Sequence, residues 1–264
     1  VADTYRILFI GDVVGKPGRN VLAEGVPQLQ EKLRPLFTIV NGENSAGGVG
    51  ITPDIAEEFY KLGVDGITLG NHAFNKREIM PYLGAGKPIV RPANMPAAVP
   101  GTGIAYVRKE DIELAFINLC GRVFLDTYDD PFREVDRLLE SVKGPHILVD
   151  MHAEATSEKI AMGWHLNGRV TAVVGTHTHV TTADECVLPG GTGYITDVGM
   201  TGPMPSVLGM DKDVILQKFR TSLPARFEVA SEPGVISGVV IDVVRETGRA
   251  TNIERIRFSR TSQV

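Results

Sequence analysis

Short apolar runs recur along the chain, and each breaks at a cluster of glycine and polar residues. Tyr5–Ile10 gives way to Gly11-Asp12, Phe37–Val40 to Asn41-Gly42-Glu43-Asn44, and Gly66–Leu69 to Gly70-Asn71-His72. Leu114–Leu119, His146–Val149 and Val170–Val174 end at Cys120-Gly121-Arg122, Asp150-Met151-His152 and Gly175-Thr176-His177-Thr178-His179. Runs of this length bounded by turn residues predict strands. Between them the apolar spacing turns helical. Arg19–Arg34 sets Leu22, Val26, Leu29 and Leu33 on one face, with Pro27 either kinking that helix or marking its start. Thr52-Pro53 reads as an N-cap with proline at the first helical position, and Gly63 closes the helix. Phe132–Val142, Ser157–Leu166 and Asp211–Thr221 are further predicted helices.

Strands alternating with helices predict an α/β fold whose sheet is parallel at least through its first half. The end differs: Val235–Val244 and Ile253–Phe258, joined around Glu246-Thr247-Gly248-Arg249, predict an antiparallel hairpin. No repeat or linker divides residues 1–264, so one domain is expected. The Gly/Pro/Met-rich stretch Pro189–Gly209 marks a cap or irregular insert, placed at about 183–231, or else a plain long loop.

Composition narrows the setting. Hydrophobic residues make up 43% and charged residues 22%, ordinary values for a chain with a full core. No apolar run approaches the roughly 18 residues of a membrane span. The first residues, Val1-Ala2-Asp3-Thr4-Tyr5-Arg6, predict no secretory signal. Cys120 and Cys186 form no CxxC pair, so a cytoplasmic protein with plain thiols is expected. A net charge of −5 argues against a nucleic-acid grip. A homo-oligomer is in keeping with a chain of this size, although no heptad or apolar stripe points to a number.

One feature organises the chemistry. Nearly every predicted strand ends in a metal-capable side chain: Asp12, Glu43 with Asn44, Asn71 with His72, His152, then His177 and His179. In open α/β sheets such ends converge on one crevice. Singly, each residue has a plainer explanation: a turn aspartate, a turn cap at Glu43-Asn44, a helix cap at Asn71, a satisfied core histidine at position 152. Together those explanations need the same coincidence at every strand end. Imidazoles mixed with hard oxygen donors suit zinc, iron or manganese better than calcium. Competing motifs fail. Gly11–Gly15 has three intervening residues where a phosphate loop needs four, with Pro17 where Ser or Thr should stand. Ala46-Gly47-Gly48-Val49-Gly50 lacks dinucleotide spacing, and no GxSxG elbow occurs. His146 and His165 stand outside the set and read as structural or exposed.

In order and type, Gly11-Asp12, Gly42-Glu43-Asn44, Gly70-Asn71-His72, His152 and Gly175-Thr176-His177-Thr178-His179 resemble the calcineurin-like metallophosphoesterases, and more narrowly their YmdB-like branch, described as cyclic-nucleotide phosphodiesterases. The likeness spans residues 8–180 and extends through Thr196–Pro203. It departs from the wider superfamily in two places: Val14 stands where Asp-x-His is usual, and Glu43 replaces the bridging aspartate. The resemblance implies a sandwich of two mixed β-sheets flanked by helices. It also implies two divalent or mixed-valence metal ions sharing a hydroxide that attacks phosphorus. Asp12, Asn44 and His179 would hold one metal and Asn71, His152 and His177 the other, with Glu43 bridging. The harder donor set favours iron or manganese, with zinc as the third option. His72 would be the catalytic acid, or alternatively an orienting residue. Arg19 and Arg122 are candidates to steady the phosphate, and Asp197–Pro203 either lines the pocket or forms a structural turn.

The expected function is hydrolysis of 2′,3′- or 3′,5′-cyclic nucleotides, with a small-molecule phosphodiester as partner and no membrane. Two alternatives stand beside it: a phosphomonoesterase on nucleotides or phosphoproteins, and a regulatory nucleotide-binding protein with structural metals.

Overall fold

The computed structural model describes residues 3–259. Two β-sheets pack face to face and helices cover both outer faces. The first sheet holds β1 (Thr4–Ile10), β2 (Asp12–Val13), β3 (Phe37–Asn41), β4 (Gly66–Thr68) and β5 (Ile89–Val90). It is completed by β12 (Met200–Pro203), β13 (Gly234–Val244) and β14 (Ala250–Ser259). The second sheet holds β6 (Ile104–Lys109), β7 (Ile112–Cys120), β8 (Ile147–His152), β9 (Ala172–Thr176), β10 (Cys186–Val187) and β11 (Gly193–Ile195). Strands β1, β3, β4 and β5 run parallel, as do β7, β8 and β9. Antiparallel β13 pairs with β1 and with β14, so the terminal hairpin holds; the parallel first half holds for β1, β3, β4 and β5 but is broken by β6, which pairs antiparallel with β7.

The apolar runs are continuous because most of these strands are buried on both faces. In β1, Ile7 and Phe9 meet Phe37, Ile39 and Phe116 between the sheets. Alternate residues Leu8 and Ile10 meet Leu22 and Val26 of α1 (Gly15–Leu33). Helices α2 (Pro53–Lys61) and α3 (Ile79–Leu83) cover the same outer face. The second sheet is covered by α4 (Pro131–Leu139) and α5 (Thr156–His165) through Val135, Leu138 and Met162. The Thr52 hydroxyl accepts the Ile55 N–H with Pro53 leading α2, a cap of the kind that contributes about 1 kcal/mol.

Several boundaries move, three of them by enough to matter here. Helix α1 begins at Gly15 rather than Arg19 and runs through Pro27, which is therefore not its start. Strand β8 runs to His152, so Asp150, Met151 and His152 belong to the strand itself. In the stretch 183–231, residues 186–203 supply β10, β11 and β12 to the sheets. The irregular part is narrower and lies between β12 and β13, where it contains α6 (Lys212–Thr221). No helix among the described residues is long and apolar enough to cross a membrane.

Candidate metal centre

The carboxyl ends of the parallel strands in both sheets meet at one rim, and Asp12, Glu43, Asn44, Asn71, His72, His152, His177 and His179 gather there. Around His152 Nε2 stand Glu43 Oε1 at 3.0 Å, Asn71 Oδ1 at 3.0 Å and His177 Nδ1 at 3.1 Å. Beside them Asn44 Nδ2 lies 3.1 Å from His179 Nε2 and 3.3 Å from Glu43 Oε1, so Glu43 touches both groups. Asp12 is buried, accepts the His177 backbone N–H at 3.2 Å, and leaves its other oxygen without a hydrogen-bond partner. The His72 backbone N–H donates to Glu43 Oε2 at 3.0 Å. Its ring lies at the rim, with Nε2 3.4 Å from Asn71 and Nδ1 3.3 Å from Asn75.

The backs of the imidazoles are occupied, which decides which nitrogen faces inward. The Thr176 hydroxyl donates to Asp150 at 2.6 Å and accepts from His152 Nδ1 at 2.8 Å, leaving His152 Nε2 toward the cluster. Asp150 also accepts from Thr68 at 2.5 Å and from Asn41 at 3.0 Å, and Asn41 in turn accepts the Glu43 N–H. The Leu208 carbonyl accepts from His179 Nδ1 at 3.0 Å, freeing Nε2. Glu154 sits 3.2 Å from His177 Nε2, freeing Nδ1. Both His177 (φ 98°) and His179 (φ 64°) hold left-handed backbone, a conformation that costs on the order of 1–3 kcal/mol and clusters at functional sites. Asp197 steadies their loop. It accepts from the Thr178 N–H and hydroxyl and pairs with fully buried Lys159 at 2.6 Å.

Electrostatics show what the cluster demands. Burial raises Asp12. Burial would raise Glu43 as well, but the charge and hydrogen bond of His152 pull it down to about 2. Burial would depress His152, yet Glu43, Asp12 and Asp150 raise it to about 9. Burial and the neighbouring His152 push His177 down to about 3. A proton on His152 thus compensates carboxylates that water cannot reach, where a bound cation would do the same. Neutral imidazole nitrogens, hard oxygens and an orphaned Asp12 oxygen together fit a divalent ion of the iron, manganese or zinc kind. Gly70 makes the packing possible, since a Cβ there would collide with Glu43 Oε2 and the His152 ring.

Two groups stand apart from the cluster. Arg19 pairs with Glu58 at 3.0 Å and Arg122 lies 3.6 Å from Asp130, each occupied elsewhere. Asp197, one end of the segment expected either to line a pocket or to turn, is a buried strut, whereas Met200 of the same segment lines a cavity beside His179. Sequence reasoning passed over Asp150, Thr176, Thr68, Asn41, Glu154 and Lys159. A spacing signal existed for two of them. Asp150 and Asn41 stand two residues before His152 and Glu43, the same-face spacing of a strand.

Two mixed sheets with ligand-type residues on their shared rim define the metallophosphoesterase type of α/β sandwich. A Staphylococcus aureus structure assigned as a 5′-nucleotidase has the same fold, with a TM-score of 0.64 at 15% identity, over 99% of this chain and 56% of that one. Within that type, the chain belongs to the YmdB-like protein family, whose model matches residues 8–256. A Bacillus subtilis relative named 2′,3′-cyclic-nucleotide 2′-phosphodiesterase is 54% identical over 253 residues, 95% of this chain and 96% of the relative. The crystal structure of a hypothetical protein from Thermus thermophilus is 41% identical with a TM-score of 0.90, covering 96% of this chain and 99% of that one. A Mycoplasma pneumoniae structure described as a novel phosphatase is 32% identical with a TM-score of 0.92, covering 98% and 95%.

Proposed function

We propose that this chain is a metal-dependent phosphodiesterase that opens cyclic nucleotides, with 2′,3′-cyclic nucleotides as the first choice. The observation that carries this reading is the meeting of Glu43, Asn71, His152 and His177 within about hydrogen-bond distance of one point. The name of the Bacillus subtilis relative supports the substrate class. In this reading Asn71, His152 and His177 would hold one ion and Asp12, Asn44 and His179 the other, with Glu43 lying between the two groups. Iron or manganese is favoured over zinc, because no thiolate joins the set and oxygen donors outnumber nitrogens. When bound, such ions supply Lewis acidity to the phosphoryl oxygens and lower the pKa of water.

The residues of the chain do the rest. Thr176 with Asp150, and the Leu208 carbonyl, fix the imidazole orientations before substrate arrives. As a hydroxide oxygen bonds to phosphorus and the P–O bond to ribose breaks, His72, at the rim and outside the ligand set, gives a proton to the departing ribose oxygen, which becomes an alcohol. Asn75 steadies the His72 ring from the far nitrogen.

The test is turnover of 2′,3′-cyclic AMP, 3′,5′-cyclic AMP and bis-nitrophenyl phosphate by metal-stripped protein, with iron, manganese or zinc restored separately. Metal-dependent hydrolysis lost in His72→Ala and Glu43→Gln variants supports the reading. Because the Mycoplasma pneumoniae neighbour is described as a phosphatase, the mono-nitrophenyl ester is assayed alongside. Preference for that monoester overturns the diesterase assignment.

A further inference from the structure

We infer that the cavity beside His179 seats the base of the nucleotide, and that Arg257 on its wall selects guanine over adenine. This rests on the cyclic-nucleotide reading above and adds a base preference to it. The cavity measures about 360 Å³, within the roughly 300–1,000 Å³ of small-molecule sites. Its walls include His179, Met200, Met204, Leu208, Ser237 and Arg257. His179 belongs to the clustered set, so the cavity adjoins the cluster at that histidine. A diester held by its phosphate at the cluster has its base as the one large remaining group to place.

The wall chemistry suits a flat heteroaromatic ring. Met200 and Met204 offer thioether sulfurs, which make favourable contacts with aromatic rings, and Leu208 adds apolar surface. Strand register explains how Arg257 comes to be there. Ile253 faces Ile241, Arg255 faces Val239 and Arg257 faces Ser237, all on the side of the first sheet that looks toward the second. Near the middle of that row Arg255 is neutralised by Glu185 at 2.7 Å. Among the described residues Arg257 has no ion pair or side-chain hydrogen bond, and none of those lining the cavity is a carboxylate. A guanidinium offers donors alone. Guanine presents two acceptors on one edge, O6 and N7, which a guanidinium meets with two parallel hydrogen bonds. Adenine presents N7 beside an N6 amino donor, which opposes the guanidinium, while a glutamine side chain matches that pair.

The experiment compares kcat/KM for 2′,3′-cyclic GMP and 2′,3′-cyclic AMP on metal-loaded full chain, in wild type, Arg257→Ala and Arg257→Gln. Both substrates meet the same centre, so their ratio cancels metal occupancy and the folded fraction. The expected guanine preference is about tenfold in wild type. It should fall close to unity in Arg257→Ala and tip toward adenine in Arg257→Gln. A wild-type ratio near unity, or one that Arg257→Ala leaves unchanged, overturns the inference. Turnover of bis-nitrophenyl phosphate, which has no base, reports on the phosphodiesterase reading separately. If no diester is hydrolysed, that reading fails alone, and calorimetric binding of guanosine and adenosine 3′-monophosphates to wild type and Arg257→Ala decides the cavity. A guanosine preference lost with the guanidinium sustains the inference, and equal binding ends it.

Discussion

The two halves of the candidate metal centre are braced from different materials. Behind His152 lies a sealed network of Thr176, Asp150, Thr68 and Asn41, carried by four strands drawn from both sheets. Behind His179 lies a single backbone carbonyl, that of Leu208, supplied by the irregular stretch between β12 and β13. Leu208 also lines the cavity next to the cluster. One half is therefore fixed by the same packing that fixes the sandwich. The other is fixed by a segment that the proposed substrate would touch, so seating the substrate and orienting His179 are coupled there and not at His152.

The harshest way to break both halves at once is Gly70→Ala. Its Cβ would strike Glu43 Oε2 and the His152 ring, and neither can retreat from a packed interior. Metal content by elemental analysis should fall, and bis-nitrophenyl phosphate turnover should drop more than about a hundredfold, beyond the loss typical of an outer hydrogen-bond partner. A Gly70→Ala protein with full metal and near-normal rates would show that the cluster is not packed as described.

Thr176→Val separates the halves. It removes the acceptor of His152 Nδ1 and one donor to Asp150, while the Leu208 contact with His179 stays intact. Metal affinity should weaken by about 10–100-fold, with loss of one ion before the other in a chelator titration. Thr176→Ser, which keeps the hydroxyl, should restore it. Equal weakening of both ions would mean that the halves are not braced independently.

Stability should report on the His179 half more than metal affinity does. Lys159 and Asp197 form a fully buried pair, and Asp197 also holds Thr178 between the two histidines. Lys159→Met strands that carboxylate and should cost about 3–5 kcal/mol in a denaturant melt. Lys159→Met combined with Asp197→Asn should recover much of the loss, since no buried charge then lacks a partner. If the single variant melts like wild type, the pair is not a strut for the loop.

These braces differ in how far the sequence announced them. The gathering of these residues was legible because each follows or ends an apolar run that reads as a buried strand, and parallel strands bring their ends together whatever the loops do. Asp150 was half legible, since it shares a strand face with His152. Its partners were not, because Thr176 reaches it from the neighbouring strand β9 and Thr68 from β4 of the opposite sheet, placements that no local pattern encodes. The Leu208 contact was the least legible. It uses a backbone carbonyl, which carries no residue identity, on a segment whose Gly and Pro content said only that it would be irregular. Two short strands, β2 and β12, were missed for a related reason. They pair with each other across most of the chain length, and neither is long enough to show a period.

The smallest expected effect compares the two ends of β8. At one end His152 is drawn toward the charged form by carboxylates; just before the other, burial draws His146 toward the neutral form. It is buried against Tyr5, whose hydroxyl lies 3.0 Å from His146 Nδ1, and burial lowers its pKa below the ordinary 6.5. The sign follows from proton uptake. Above pH 6.5 the imidazole is neutral in both folded and unfolded chains, and stability is unaffected. Below it, the unfolded chain takes up a proton that the folded chain refuses, so stability falls as pH drops until the lowered pKa is reached. The fall cannot exceed about 1.4 kcal/mol per pH unit for one proton. His146→Gln keeps a polar partner for Tyr5 and removes the titration. Melts of the two proteins from pH 7 to 5 should therefore diverge, with wild type losing more. Parallel curves would mean that His146 takes its proton as readily folded as unfolded, and that β8 carries only one histidine whose charge the fold controls.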